Sequence, residues 1–322
     1  MKENHSAAPT FTCPAPLTTY TEVLLGHGSG GKLSAELMRD VFLPALGNPI
    51  LEKLDDQAIV EVNGMRLAFT TDSFVVKPLI FRGGDIGSLS VHGTINDLAM
   101  GGAIPLFLSA AFVIEEGLSI ETLRRVVESM ARAAREAGVP VVTGDTKVVE
   151  KGKGDGLFIN TSGVGLVREG LSFSANQARP GDSILLSGSV GDHGIAIMAQ
   201  REGLEFATSL ESDSAALHTL VAAMLEASTA IRCLRDPTRG GLSSTLNEIA
   251  AASKVGMLLE EERIPIREEV RGACEMLGLD PLYVANEGKL VAIVDPGAAD
   301  AVLEAMREHP LGRRAVNIGT VT

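Results

Sequence analysis

Five aspartates sit beside turns at the ends of predicted strands and helices: Asp56 in DDQAIV, Asp72 in AFTTDS, Asp97 in GTINDLAMGG, Asp145 in VTGDTK and Asp236 in LRDPTRGG. A carboxylate at a turn ordinarily caps a helix or closes an Asx turn. Asp97 asks for more. On the predicted helix Ile86–Met100 an apolar stripe runs through Ile86, Leu89, Gly93 and Met100, and Asp97 falls on that stripe one turn after Gly93. An unpaired carboxylate on a packed face is costly, so Asp97 should be paired, capped or bound to metal. Asp72 ends an alternating strand and Asp145 lies in a Gly-Asp-Thr turn, both suitable places for a hard cation such as Mg2+.

The second chemical signal is GHGSGGK, Gly26–Lys32, which follows a predicted strand and opens a predicted helix. As GxGxxG it matches a dinucleotide fingerprint, although the next acids, Glu52, Asp55 and Asp56, precede a strand instead of ending one. As GxxxxGK it is close to a P-loop, but Leu33 stands where a hydroxyl residue would hold Mg2+. A third reading is a flap whose backbone N–H groups and Lys32 close over phosphates held elsewhere. A plain turn leading into a helix remains a fourth. With the aspartates, the loop points to Mg2+-nucleotide chemistry.

Phosphates also need cations. Lys147 follows Asp145 by two residues, and Arg235 and Arg239 bracket Asp236 just before a helix carrying Leu242, Leu246 and Ile249. A helix N-terminus with an arginine beside it suits an anion. GDHG, Gly191–Gly194, is a similar turn whose His193 is expected to cap or to face solvent. Glu287 in Asn286-Glu287-Gly288-Lys289 precedes the apolar strand Leu290–Val294; it is a candidate general base, with a hairpin turn as the competing reading.

The elements that must position these groups alternate along the chain. Predicted strands are Glu22–Leu25, Ala58–Val62, Leu67–Asp72, Phe107–Ile114, Val139–Thr143 and Leu157–Val167, with helices Lys32–Leu46, Ile86–Met100 and Ser119–Ala137. After the polar stretch Arg168–Asp182 come a strand at Ser183–Ser187 and further strands near Gly256–Leu259, Lys289–Val294 and Ala315–Val321. Helices are predicted near Gly194–Arg201, Asp213–Ala227, Gly241–Ala252, Arg267–Leu277 and Ala298–Glu308. There is no strict βαβ rhythm, so the fold class is α+β. The expected division is a leader over residues 1–20, an N-terminal domain over 21–168 and a C-terminal domain over 178–322.

Composition bounds the function. The 322 residues carry 28 Lys+Arg against 41 Asp+Glu, a net charge of −13. That acidity argues against nucleic acid and anionic membranes, and the absence of Trp with only two Tyr argues against a base-stacking platform. The longest apolar run, Gly102–Ile114, is too short to span a bilayer and contains Pro105. Cys13, Cys233 and Cys274 form no CxxC pair, which suits a reduced, cytoplasmic chain. Cys233 and Cys274 are expected in helical or pre-helical surroundings as buried structural thiols.

Taken as an ordered set, HGSGGK (27–32), DDQA (55–58), FTTDSFVV (69–76), GTINDLAMGGAIP (93–105), VTGDTKVV (142–149), GDHG (191–194), RDPTRGG (235–241) and ANEGKLV (285–291) resemble a known superfamily. It contains aminoimidazole ribonucleotide synthetase, selenophosphate synthetase, thiamine-monophosphate kinase and the hydrogenase maturation protein HypE, and the match is closest to the HypE carbamoyl dehydratases. The glycine loop lacks the reactive Cys or selenocysteine of a selenophosphate synthetase, and GDTKVV with ANEGK is not expected of a thiamine-phosphate kinase.

The resemblance implies an aminoimidazole ribonucleotide synthetase-like fold: an N-terminal α/β domain that builds a β-barrel across a homodimer, and an α+β C-terminal domain. It implies ATP and Mg2+ near the N-domain motifs. Asp56, Asp72, Asp97, Asp145 and Asp236 would handle the metal. Gly28, Ser29, Gly30, Gly31, Lys32, Asp72, Asn96, Thr146 and Arg239 would contact the nucleotide, and Glu287, Lys147 and Asp97 would act in catalysis. It further implies that a carbamoyl group arrives from a carbamoyltransferase, HypF, on a C-terminal cysteine, is dehydrated to a thiocyanate, and passes as cyanide to iron on a HypC–HypD complex. The family ends in that cysteine, typically after Pro-Arg-Ile, whereas this sequence ends at Thr322. The expectation is a chain that binds ATP but makes no thiocyanate in cis. A sister synthetase or kinase, or a non-catalytic maturation scaffold, are the rival readings.

Overall fold

The structure, a computed structural model, describes residues 20–203 and 209–322. Its first half contains helices α1 (Lys32–Leu37) and α2 (Leu43–Leu46), strands β1 (Ala58–Val62) and β2 (Met65–Phe74), the small hairpin β3 (Ile80–Phe81) and β4 (Gly84–Asp85), helix α3 (Ile86–Met100), β5 (Ala103–Glu115), α4 (Ile120–Ala137), β6 (Val141–Val149) and β7 (Leu157–Val167). The second half contains β8 (Ser183–Leu186), α5 (Asp192–Glu202), α6 (His218–Ala227), β9 (Ile231–Arg235), α7 (Gly241–Ser253), β10 (Met257–Leu259), α8 (Glu268–Leu277), β11 (Val291–Val294), α9 (Ala299–Glu308) and β12 (Val316–Val321).

In β7 every second residue from Leu157 to Val167 is buried, which marks a strand with one face on a core. It lies at the centre of the first sheet, ordered β1-β2-β7-β5-β6. The sheet is antiparallel except for β5 and β6, which run parallel and are joined by the crossover α4. Ser119 caps α4 by accepting from the Glu121 and Thr122 N–H groups, and Gly138 ends it in the left-handed conformation. Helix α3 is buried on nearly every side. It comes so close to β7 that a Cβ on Gly163 would sit 2.8 Å from Leu98 Cδ1 and 2.9 Å from Thr94 Cγ2.

The second sheet is antiparallel, in the order β10-β12-β8-β11-β9. Alternation along β11 sends Val291 and Ile293 to a core with Leu242, Leu246 and Ile249 of α7. Ala292 and Val294 face a core with Leu220 and Met224 of α6 and Met306 of α9. That second core continues into the first half through Ala68, Leu98, Ala99, Met100 and Val167. The two sheets therefore share apolar packing at the C-terminal end of α3.

Several sequence expectations need correction. Glu22–Leu25 forms no strand: Leu25 is 97% exposed and starts a 3-10 turn, Leu25–Gly28, with no strand paired to it among the described residues. The helix expected over Lys32–Leu46 is interrupted by a π-turn, Met38–Phe42, and buries none of its residues. Cys233 lies in a strand, β9, not in a helical setting. Pro105 falls inside β5 and is tolerated because a bulge between Pro105 and Phe107 shifts the register. Helix α6 starts at His218, five residues later than expected, because Asp213 and its neighbours are engaged elsewhere. The residues expected to form a leader lie, up to residue 19, outside the described residues.

Leu98 is fully buried in the core that both sheets share. Leu98→Ala should destabilise the protein by about 3 kcal/mol, read as a lower denaturant midpoint. An unchanged midpoint would show that the shared core is not close-packed there.

Candidate active site

Asp97 is reached from the neighbouring strand. The Thr70 hydroxyl of β2 donates toward Asp97 Oδ2 at 2.8 Å and lies 2.9 Å from the Asp56 carbonyl oxygen. Asp56 Oδ1 is 3.2 Å from Arg235 Nε, both side chains being 14% exposed, while Asp56 Oδ2 is buried without a partner. Arg235, at the end of β9, also bonds Glu248 Oε2 at 3.0 Å and the Leu54 carbonyl at 3.3 Å. It thus ties the second sheet to the DDQA turn of the first half. The next residue, Asp236, is buried.

Asp72 and Asp236 lie near enough to repel each other and both Asp97 and Glu287, and Asp56 repels Asp97 and Asp236. Burial pushes Asp56 up to about 6 against the opposing pull of Arg235, and pushes Asp236 up to about 7 with added repulsion from Asp56. Asp97 is raised well above the usual carboxylate range by burial and by Asp236, Asp56 and Asp72. Glu287 is raised similarly by burial, Asp236, Asp213 and Asp72, with Arg239 opposing. Asp72 is raised by burial and partly relieved by Arg239 and by the Ser73 N–H, which donates to Asp72 Oδ1 at 2.7 Å. Like charges gathered out of water stay ionised only with a cation among them.

The glycine loop lies over this region. Gly30 and Gly31 have φ of 81° and 75°, a conformation that disfavours a side chain. A Cβ on Gly30 would be 2.9 Å from the Arg239 carbonyl oxygen, and Arg239 Nη1 donates to the Gly28 carbonyl at 3.5 Å. Ser34 closes the loop by accepting from Gly30 N–H at 3.0 Å and donating to the His27 carbonyl at 2.9 Å. Lys32 reaches Glu36 at 3.8 Å and is otherwise exposed. Since a 3-10 turn and not a strand leads into the loop, the dinucleotide and P-loop readings lose the βα setting they require, and the flap and plain-turn readings remain.

Other expected site residues lie elsewhere. Asp145, Thr146 and Lys147 are on β6, an edge strand whose residues from Val141 to Val148 are exposed. Asp145 pairs with Lys147 at 2.5 Å, which holds its carboxyl below the usual range, and it is not among the charges that perturb the buried carboxylates. Asn96 is fully buried, and both ends of its amide are engaged: Nδ2 donates to the Ala215 and Glu287 carbonyls at 3.0 and 3.3 Å, and Oδ1 accepts from Leu217 N–H at 2.8 Å. It supports the site and is not free to bind nucleotide. His193 neither caps nor faces solvent: it is buried, its Nδ1 is 2.8 Å from Ser212 Oγ, and burial lowers it to about 4. Cys233 and Cys274 are buried thiols, Cys233 pushed up to about 12, so neither is an active nucleophile. Cys13 lies outside the described residues.

Sequence reasoning missed Thr70 and Asp213. The Thr in TTDS two residues before Asp72 was the available signal for Thr70, since alternation puts both on one strand face. Among the described residues no three His, Cys, Asp or Glu side chains converge as a ready cage for metal. The carboxylates fit Mg2+ nonetheless, because it takes one or two carboxylates and fills its sphere with water and phosphate oxygens, and Asp56 Oδ2 has no other partner.

The raised values carry a sign. Stability from protonating Asp56 and Asp236 is complete below the unfolded aspartate range and is lost as pH rises through about 6 and about 7. A cation needs the ionised set. The rise in melting temperature on adding Mg2+ with nucleotide should therefore grow between about pH 5 and about pH 8. An equal rise at both would remove these carboxylates as the cation site.

Comparison with known proteins gives the family. Residues 54–167 match the model of the AIR synthase related protein N-terminal domain, and residues 179–322 that of its C-terminal domain. The carbamoyl dehydratase HypE of Azotobacter vinelandii is 63% identical over 295 residues, 92% of this chain and 86% of the relative. A crystal structure of a HypE–HypF complex superposes with a TM-score of 0.85 at 50% identity, covering 89% of this chain and 93% of that one. A HypE crystal structure in complex with ATP superposes with a TM-score of 0.78 at 52% identity, covering 93% and 89%. The chain belongs to the HypE carbamoyl dehydratase family of AIR synthase related proteins.

Proposed function

We propose that this protein uses Mg2+-ATP to dehydrate the S-carboxamide of a cysteine to a thiocyanate, the step that makes cyanide for hydrogenase iron. The observation that carries the reading is the gathering of Asp56, Asp72, Asp97, Asp236 and Glu287 beneath the Gly28–Lys32 loop, in a chain 63% identical to a carbamoyl dehydratase. An amide oxygen is a poor leaving group. Transfer of the γ-phosphoryl group to it makes a phosphate ester, and loss of phosphate with both N–H protons leaves the nitrile carbon triply bonded to nitrogen. Mg2+ would be held by one or two carboxylates at a time from the set Asp56, Asp72, Asp97 and Asp236, and would supply charge neutralisation for the transferring phosphoryl group. Arg239 and the glycine-loop N–H groups hold phosphate oxygens, and Glu287 takes one N–H proton. Burial and the neighbouring carboxylates raise its affinity for protons, as a general base requires.

The active form in this reading is a homodimer. The face of the first sheet turned away from α3 and α4 leaves Phe69, Phe107, Val113 and Leu166 between 37% and 47% exposed. Beside it β6 is an edge whose outer side has no partner strand among the described residues, and such a surface favours a second copy. The partner's β6 would bring Asp145, Thr146 and Lys147 toward the nucleotide, Asp145 as a further metal ligand and Lys147 on the phosphates. HypF would supply the carbamoyl group and HypC–HypD would take the cyanide. No described helix is long and apolar enough to cross a membrane, and a cytoplasmic location fits the buried reduced thiols.

The test is ATP turnover, with loss of one water by mass spectrometry, on a peptide ending in Pro-Arg-Ile and S-carbamoylated cysteine. Asp97→Asn should reduce both at least about a hundredfold, and Glu287→Gln should reduce dehydration to a similar extent. Wild-type rates in both variants would sink the reading, and stimulation by thiamine phosphate in place of the peptide would favour a kinase. Phe107→Glu should convert the sedimenting species from dimer to monomer; an unchanged dimer would exclude the sheet face as the interface.

A further inference from the structure

Glu287 is held by a segment that belongs to neither sheet. Residues 210–217 run without helix or strand between the first half and the turn 286–289, with Leu210 and Leu217 fully buried at its ends. Three ties bind it to the first half. Ser212 N–H donates to the Arg82 carbonyl at 2.9 Å, Ser214 Oγ lies 2.9 Å from His92 Nδ1, and Asn96 holds both the Ala215 carbonyl and the Leu217 N–H. Ser212 Oγ meets His193 of α5 on the other side.

The same segment grips the peptide groups of Glu287. Asp213 Oδ1 accepts from Glu287 N–H at 3.1 Å, and Asp213 Oδ2 pairs with Lys289 Nζ at 2.9 Å. The Asp213 and Lys289 side chains are 5% and 13% exposed. The Glu287 carbonyl accepts from Ala215 N–H and from Asn96 Nδ2, each at 3.3 Å. Gly288 lies so close to the Asp213 carbonyl that any side chain there would overlap it. Asn286, the residue before, is fully buried, accepting from Gly191 N–H at 2.7 Å and donating to the Pro237 carbonyl at 2.9 Å.

Both peptide groups of Glu287 are therefore fixed, and the fixing groups lead back to α3, where Asn96 precedes Asp97. A carboxylate on a turn would otherwise sample several positions, and a base misplaced by about 1 Å loses on the order of a hundredfold in rate. A buried Asp–Lys pair adds little net stability against apolar replacements, so its presence here calls for another reason. We propose that Asp213, through Glu287 N–H and Lys289, is a positioning residue that aligns the Glu287 carboxylate with the reaction centre around Asp97. This rests on Glu287 being the base of the proposed reaction.

Because Asp213 would act only through Glu287, a double-mutant cycle on dehydration of the carbamoylated peptide tests it. Asp213→Ala should lower kcat about ten- to a hundredfold while leaving KM for ATP within about twofold. Asp213→Asn, which keeps an acceptor for the N–H but loses the ion pair, should fall between it and wild type. In a Glu287→Gln background, Asp213→Ala should cost nothing further. An additional loss there, or a wild-type kcat in Asp213→Ala, overturns the positioning role while Glu287 stands. Wild-type dehydration in Glu287→Gln alone overturns the base assignment and the positioning role with it. If Asp213→Ala fails to fold, Lys289→Met replaces it in the cycle, with the same two results deciding.

Discussion

Burial of several carboxylates close together, with Arg235 as the buried counter-charge, is the constraint around which this molecule is organised. Asp56, Asp97 and Asp236 repel one another where water cannot screen them, and the Arg235–Asp56 pair offsets only part of that repulsion. Such an arrangement weakens the protein by itself, and it persists where the charges have work to do. Arg235 also explains why the domains meet where they do. It extends from the end of β9 to Asp56 and Leu54 of the first half and to Glu248 of α7, so the charge that calms the pocket also links the two halves through an ion pair and a hydrogen bond.

Apolar packing supplies the rigidity that this charge cluster cannot. Helix α3 is wedged between β7 and the second half, and the missing side chain at Gly163 lets it come close enough for Thr94 to meet Thr161 and for Thr70 to meet Asp97. Leu98 to Met100 then join the core under α6. A helix buried on nearly all sides has little freedom to rotate, so the polar groups on it keep their directions: Asp97 toward the pocket, Asn96 toward the segment 210–217, His92 toward Ser214. Successive residues of one helix hold different parts of the site.

Much of this was legible in the chain. The bounds of β7 and α3 were readable in the chain, and the misfit of Asp97 with the apolar stripe of α3 signalled a polar site on that helix. What the sequence obscured has common causes. Glu22–Leu25 has strand-like residues but no neighbouring strand, and a strand without a ladder partner does not form. Strand β9 went unrecognised because IRCLR mixes charge with short apolar runs, and only its pairing with β11 makes it extended. Asn96 was expected among the nucleotide contacts through the family resemblance alone; it is fully buried, and its amide holds the segment 210–217. Asp145 and Lys147 looked like members of the same site because their motif resembles the others, yet one chain leaves them on an exposed edge.

By itself, then, the sequence determined the kinds of chemistry available: carboxylates at turns, a glycine-rich loop before a helix, arginines flanking Asp236, and the periodicities that set strand and helix. Those are local properties, written in residue type and spacing over a few positions. Tertiary structure decided which of the carboxylates share a pocket, that Arg235 is their counter-charge, that the glycine loop lies on Arg239, and that Asp213 holds Glu287. These contacts join residues far apart in the chain, and they exist only because close packing of α3, β7 and the second sheet brings the segments together.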